Sequence, residues 1–521
     1  MLLDTPGFLA LLVVVVALFY ALPRARLWVL FAADLVFYGL PNPAHLVLFL
    51  GVSLMTFVCA RRGSHLLLAL AIAVNAANLI FFKYALFLTR AVESALGIPL
   101  PAAGSFLVEV ALPIGISFYT FGLIAYLVDV WRGQLVPVRS FARFWVFVSL
   151  FPRLVAGPIA RGRDLVPQVE AVTAYRFSAD DFRRGLTLLL VGLAKKIVVA
   201  DTLKPYVDHL FAQAAGAAGA AVAGGVVAGA AVAGEVALGG GAAWMAAYLF
   251  AFQIYLDFSA YSDMAVGIGA LLGFRLPQNF RTPYVSASPS EFWRRWHITL
   301  STWIRDYVYI PLGGSRKGLG RQMVNLVLAM TFSGLWHGAG WTFVVWGLYH
   351  GVLAALEKSG RLLGARLRRR AGIRGAAEVA PAQTGSARAG TAWVAAAIAR
   401  AVSVAVFFHL VVIGWVFFRA ADLSTALAMV RAMLSPGGWS LGGLGLSGGA
   451  AAAASLWGPM LVLGLYALHL MEHVARRDSR LLDFWFSRVP PVVRGLAYAM
   501  VIILVMTFVQ TGQNPFIYSR F

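Results

Sequence analysis

The sequence predicts an all-α polytopic membrane protein, on three observations: a large excess of apolar residues, apolar stretches that run long and unbroken, and little charge. Of its 521 residues 60% are hydrophobic and only 12% charged, and the mean hydropathy is +0.78. A soluble core cannot absorb so much apolar surface, so lipid must act as part of the solvent. A spanning helix needs about 20 mostly apolar residues, whereas a barrel strand needs about 10 of alternating polarity. The stretches here are continuous and therefore read as helices. The formal charge of +21 sits in so apolar a chain that the basic residues are expected in loops, where they set topology, and no nucleic acid is expected as a partner. Cys59, the single cysteine, lies inside an apolar stretch, which leaves no disulfide framework and no Cys-based metal site.

Taken in order, residues 7 to 22 could pass for a signal peptide. They lack a basic n-region, carrying Asp4 instead, and no small-residue cleavage site follows, so a retained span is expected. Arg24 and Arg26 place the end of that span in the cytoplasm and the N-terminus outside. The uncharged turn Pro41-Asn42-Pro43 then suits the outer face, and Arg61 and Arg62 the inner one. Further spans are expected at 26 to 40, 44 to 60, 66 to 82, 107 to 131, 141 to 156, 184 to 200, 243 to 258, 322 to 337, 341 to 356, 393 to 418, 457 to 473 and 492 to 511. That gives about 11 to 13 transmembrane or re-entrant helices in one membrane domain. The shorter ones are expected to be broken, which lipid tolerates only where protein or a wet cavity surrounds the backbone.

Residues 1–106 form the N-terminal helices, 107–356 the core and 393–521 the C-terminal helices. Residues 213–242 are low-complexity Ala/Gly, and glycine costs about 1 kcal/mol per helical site relative to alanine, so a loop-like insertion is expected there. The segment 359–392 holds seven Lys/Arg against Glu378 alone and reads as a flexible cytoplasmic linker. Residues 436–450 read as another loop.

The stretch 275–321 is polar, basic and aromatic, and interrupts the lipid-like pattern on the cytoplasmic side. Ser288-Pro289-Ser290-Glu291 has the form of a capping box, so a helix should start there. At 100° per residue Trp293, Trp296, His297, Leu300 and Ile304 share one face, with Arg295 and Thr302 opposite. Such a helix can lie at the interface with its aromatics at headgroup level, or it can present His297 to a buried cavity. Downstream, Gly334-Leu335-Trp336-His337-Gly338 sets an ionisable side chain in an apolar stretch, which is a functional candidate by default, the alternative being a core histidine bonded to a neighbouring helix. Gly334, Gly338 and Gly340 would let backbone or substrate approach the ring. His350, His409, His469 and His473 read as structural. Asp263 and Ser262, in the run Asp257–Asp263, could bind a cation or orient a histidine, or could pair with arginines.

Two histidines without a Ser-centred elbow or a metal motif suit acyl transfer by direct attack. A hydroxyl is a poor nucleophile until a base takes its proton, and an imidazole titrates in the right range to do so. A thioester needs no protein nucleophile because it already carries a good leaving group. Intramembrane His and Asp would also suit a transporter or channel, but the two halves of the chain show no internal repeat.

The strings PIGISFYTFGLIAYLVDVWRG (113–133), FPRLVAGPIARGRDL (151–165), IYLDFSAYSDMAVGIG (254–269), EFWRRWHITLSTWIRDYVYIPLGGSRKG (291–318), GLWHGAGWTFVVWGLYHG (334–351) and QTGQNPFIYSRF (510–521) resemble the bacterial branch of the membrane-bound O-acyltransferases (MBOAT), which includes alginate O-acetyltransferases and D-alanyl-transfer proteins. The resemblance implies a ring of helices around a thin central region, with an outer funnel and a cytoplasmic tunnel meeting at the histidine of the WHG motif. It implies His337 as the catalytic histidine and His297 as the second, supporting one. The other branches carry Asn at the position of His297. Trp336, Trp296, Arg294, Arg295, Arg305, Asp263 and Ser262 are the substrate-binding candidates, the arginines facing an anionic donor. It further implies no bound cofactor or metal, an acyl thioester donor (acetyl-CoA or an acyl-phosphopantetheine carrier protein), membrane lipid around the chain, a periplasmic SGNH-type partner and, through it, a polysaccharide acceptor at the bacterial inner membrane. Arg153 stands where the alginate type tends to have His, and the segments 213–242 and 359–392 look expanded.

Overall fold

The computed structural model describes residues 3–97, 111–223, 239–370, 386–435, 449–477, 484–509 and 517, and every regular element among them is helical. Pro6 at the N-terminus of the first helix and the Thr5 hydroxyl, which accepts the Phe8 N–H at 3.3 Å, start α1 (Pro6–Ala21). Pro23 breaks it from α2 (Arg26–Gly39), and the two are bent by 114°. Arg26 was expected as a loop charge. It is instead 5% exposed, and its guanidinium holds the bend by donating to the carbonyls of Phe19 (3.0 Å) and Tyr175 (2.5 Å). Orphan carbonyls at a helix break need donors, and one planar cation supplies several.

Helices α3 (Pro43–Arg62) and α4 (His65–Leu96) follow, tied by Asn75 donating to the Thr56 hydroxyl at 2.9 Å. After α5 (Ile116–Trp131) the stretch expected as one span at 141–156 is two pieces, α6 (Phe141–Ser149) and α7 (Phe151–Leu154). The buried Asp34 of α2 accepts from the Ser149 hydroxyl and the Phe151 N–H, both at 2.8 Å, so the break is satisfied from the neighbouring helix. The short α8 (Gly162–Glu170) leads to α9 (Ala179–Leu193), which passes through a π-helical turn, Ala194–Ala200, into α10 (Asp201–Ala223). The Ala/Gly segment expected as a loop is therefore helical as far as residue 223, and 224–238 lie outside the described residues.

The long α11 (Gly240–Leu271) is buried along nearly all its length, against α7, α9, α10 and the π-helical turn among others. Its two carboxylates are met by adjacent lysines of that turn. Lys195 binds Asp263 at 2.9 Å and Glu472 at 2.5 Å, while Lys196 binds Asp257 at 2.9 Å and Asp201 at 2.8 Å. The wider spacing of a π-helical turn re-aims successive side chains, and here it sends neighbouring cations to different anions.

The polar stretch forms α12 (Pro289–Trp293) and α13 (Ile298–Ile304). Next come α14 (Leu319–His337), α15 (Trp341–Arg370), α16 (Ser386–Arg419), α17 (Leu423–Leu434), α18 (Gly449–Arg477) and α19 (Pro491–Phe508). The described parts of the segment expected as a flexible linker are helix: α15 runs on to 370 and α16 begins at 386, with 371–385 outside the described residues. Of the expected loop at 436–450, only 449 and 450 are described, and they are helical. Among the described residues four helices are long and apolar enough to cross a membrane, or five with α1 and α2 counted as one bent span. The other expected crossings fall short on length or hydropathy, as α11 and α14 do by burying polar groups within the protein.

Candidate active site

Of the expected capping box the Ser288 half forms, and Glu291 reaches back one residue further than expected, to Ala287. The Ser288 hydroxyl accepts the Glu291 N–H at 3.3 Å, and the Glu291 carboxylate accepts the Ala287 N–H at 3.0 Å. The helix it starts does not continue through His297. Residue 297 has φ +41° and ψ 53°, a left-handed conformation that splits the expected single amphipathic helix in two. The cause is tertiary: the Arg281 N–H donates to the Arg295 carbonyl and the Ile298 N–H to the Asn279 carbonyl, both at 2.9 Å, so the segment 279–281 inserts where a continuous helix would have used those groups itself. His297 caps the second piece, its Nδ1 accepting the Leu300 N–H at 3.2 Å. An acceptor Nδ1 puts the proton of a neutral ring on Nε2.

His337 ends α14. Its ring lies 5.0 Å from Trp336, 5.1 Å from Trp346, 5.2 Å from Phe418 and 6.4 Å from His297, centre to centre. His297 is in turn 4.7 Å from Phe258 and 5.8 Å from Trp336. Both imidazoles are buried, His297 fully and His337 to 2% exposure. Phe121 of α5 packs behind Trp336 at 5.4 Å and stacks on Trp303 at 3.7 Å and 8°.

The glycines near His337 serve mainly helix packing. A Cβ on Gly334 would stand 2.2 Å from the Phe343 carbonyl oxygen, one on Gly338 would stand 2.2 Å from the Phe343 ring, and one on Gly347 would stand 2.5 Å from the Met330 carbonyl oxygen. α14 and α15 thus meet backbone to backbone, which fixes where α14 ends.

The fold brings together His297, His337 and Trp336. Trp296 lies one layer behind, buried against Trp415 at 4.8 Å and Phe280 at 5.1 Å. Ser262 connects through Asn279, whose amide donates to it at 3.1 Å and whose oxygen accepts from Thr299 at 2.6 Å. Asp263 points away from the pair, into ion pairs with Lys195 at 2.9 Å and Arg476 at 2.8 Å. Arg295 pairs with Glu291 at 3.0 Å, Arg305 with Asp306 at 2.7 Å, and Arg294 is exposed. Ser262, Asp263 and Arg295 line a cavity of about 3160 Å³ bounded by α9, α11, α16, α18 and α19; neither His297 nor His337 is among its lining residues. Among the described residues no group of three or more His, Cys, Asp or Glu side chains is set to hold one metal ion. Of the four histidines expected as structural, three have polar partners: His469 Nε2 accepts the Tyr284 N–H at 3.2 Å, His473 Nδ1 lies 2.7 Å from the Thr282 hydroxyl and His409 Nδ1 lies 2.7 Å from the Ala405 carbonyl oxygen. His350 is fully buried among Phe292, Trp293 and Trp346, and among the described residues neither of its ring nitrogens has a hydrogen-bond partner.

Two features lie outside the residues expected at the site. Glu472 joins the Lys195–Asp263 cluster from α18. Lys83 and Tyr84 of α4 reach the end of α14, with the Lys83 Nζ donating to the carbonyls of Trp336 (2.6 Å) and His337 (3.2 Å) and the Tyr84 hydroxyl to that of Leu335 (2.8 Å). The available signal was a lysine inside an apolar helix; the expected span closed at 82, one residue before it.

Residues 237–369, which contain both histidines, match the model of the MBOAT, membrane-bound O-acyltransferase family. The chain is 38% identical over 441 residues to "Probable alginate O-acetylase AlgI" of Azotobacter vinelandii, covering 82% of this chain and 76% of that protein. It is 30% identical over 450 residues to the peptidoglycan O-acetyltransferase of Helicobacter pylori, covering 80% and 75%. It is 26% identical over 249 residues to the teichoic acid D-alanyltransferase of Bacillus subtilis, covering 46% and 57%.

Proposed function

The chain belongs to the membrane-bound O-acyltransferase family and is a multi-pass membrane O-acyltransferase, and from that premise we propose that it moves acetyl from a cytoplasmic thioester across the bacterial inner membrane for O-acetylation of an exopolysaccharide such as alginate. The donor is acetyl-CoA or an acylated phosphopantetheine carrier protein, and a periplasmic SGNH-type protein passes the acetyl group to the polymer. The choice of acetyl is supported by the alginate and peptidoglycan relatives, which match over about four fifths of the chain and are named for O-acetyl transfer, whereas the D-alanyl relative matches over less than half.

The observation that carries the reading is the pair of buried imidazoles, His297 and His337, 6.4 Å apart at a helix break and a helix end. In this reading His337 takes the proton of the acceptor hydroxyl as its oxygen attacks the thioester carbonyl carbon. The C–O bond forms, the C–S bond breaks, and the imidazolium returns the proton to the departing sulfur. His297, with Nδ1 held by the Leu300 N–H, orients the thioester or relays the proton. Indole and phenyl rings around the pair exclude water, so the reactive carbonyl meets the alcohol and not solvent. An outer funnel and a cytoplasmic tunnel would deliver the two substrates to this pair, which Trp346 and Phe418 pack against on the His337 side. Arg294 and Arg305, exposed, would attract the phosphates of the donor.

Replacing His337 with Ala while tracking polymer ester content and membrane abundance tests the assignment. The expected result is a loss of about 100-fold or more in ester per molecule of enzyme at undiminished abundance. Normal acylation at normal abundance defeats it.

A further inference from the structure

We propose that Lys83 is a positioning residue of acyl transfer: its ammonium caps the end of α14 and thereby sets the place of His337 and of the Trp336 ring beside it. The inference rests on the reading of His337 as the base.

An α-helix leaves its last four carbonyls without a partner inside the helix, and these form the negative end of its dipole. At the surface, water meets them. At membrane depth nothing does unless the protein supplies donors. α14 ends at His337, and the next residue, Gly338, is already extended. The donors come from one dipeptide of a neighbouring span: Tyr84 serves Leu335, and Lys83 serves Trp336 and His337 while its third hydrogen bond reaches the Ser117 hydroxyl at 3.3 Å. Three successive carbonyls are thus held from α4, and α5 closes the set.

A tyrosine suffices for one of these carbonyls, so a lysine is not needed merely to saturate them. An ammonium inside an apolar span is costly, and among the described residues Lys83 makes no ion pair with a carboxylate. Its charge is balanced instead by the carbonyl ends of α14. It also lies 5.7 Å from the Trp336 ring, which packs against both His337, at 5.0 Å, and His297, at 5.8 Å. One side chain therefore fixes the backbone of one imidazole and the ring that packs against both. A reacting group displaced by about 1 Å loses about 100-fold in rate, which sets the scale of the expected effect.

The test measures polymer ester formed per molecule of full-length enzyme in membranes, with abundance and thermal midpoint, for Lys83→Met, Lys83→Arg, Tyr84→Phe and His337→Ala. The expected result is a fall of about 100-fold for Lys83→Met, with a midpoint no lower than that of Tyr84→Phe, at least tenfold recovery in Lys83→Arg, and near-normal transfer in Tyr84→Phe. Lys83→Met retaining about a third or more of normal transfer overturns the proposal. So does a parallel fall of transfer and midpoint in Lys83→Met and Tyr84→Phe, which would make the dipeptide a plain structural cap. An active His337→Ala enzyme would instead remove the reading on which the proposal rests.

Discussion

His297 does two jobs that can be separated by substitution. Its backbone is left-handed, and its Nδ1 caps α13 by accepting the Leu300 N–H. Asparagine tolerates that conformation and can accept the same N–H, but it offers no imidazole. His297→Asn is therefore expected to keep thermal stability within about 1 kcal/mol of the wild type while lowering ester formation about tenfold, a smaller loss than that of His337→Ala, as suits a supporting ring. Unchanged ester formation per molecule would reduce His297 to a cap. The identities of both histidines were legible in the sequence, one from a polar island and the other from an ionisable group in an apolar run. The positive φ was not, because no local rule puts a β-substituted residue there. It follows from two backbone hydrogen bonds to residues about 14 and 19 positions earlier.

Among the elements, the α14–α15 pair decides where His337 stands, and its seam is made of backbone contacts at Gly334 and Gly347. Gly347→Val would drive a branched side chain into the Met330 carbonyl, and overpacking of this kind costs about 1–3 kcal/mol. The expected readout is a lower thermal midpoint in detergent together with reduced ester formation, since α14 must shift to accept the new atoms; an unchanged midpoint would show the seam to be slack. Helix starts were predictable at this scale. Ser288 caps α12 where expected, and proline opens α1, α3 and α12 as its fixed φ and missing N–H allow. Helix breaks were less so. The interruption at Leu150 is met by Asp34, a residue 116 positions earlier, and a polar group that distant leaves no trace in the local pattern of 141–156. The Ala/Gly run shows the opposite error, since glycine propensity argued against helix at 213–223 and the long α10 includes it.

Across the whole molecule, the buried charges form a network and not a set of loop anchors. Lys195, Asp263, Glu472 and Arg476 join the π-helical turn, α11 and α18, and the Tyr255 hydroxyl donates to Glu472 at 2.7 Å. Taking one partner from such a set leaves an uncompensated charge, at a cost of about 3–5 kcal/mol. Lys195→Met is accordingly expected to lower membrane abundance and thermal midpoint sharply, and restoring neutrality with Glu472→Gln should recover part of both. Independence of the two substitutions would show that the ions do not act as a unit. By itself the sequence determined that the chain is helical and lives in lipid, and that a helix starts at Ser288, because hydropathy, capping and charge are read residue by residue. The tertiary structure alone decided that the island breaks at His297, that Lys195 and Arg476 are the partners of Asp263, that Arg26 is a buried clamp, and that Lys83 reaches the end of α14. Each of those depends on which distant backbone or side chain fills an unmet hydrogen bond or charge inside lipid, and that choice is made in three dimensions, between residues the chain itself keeps far apart.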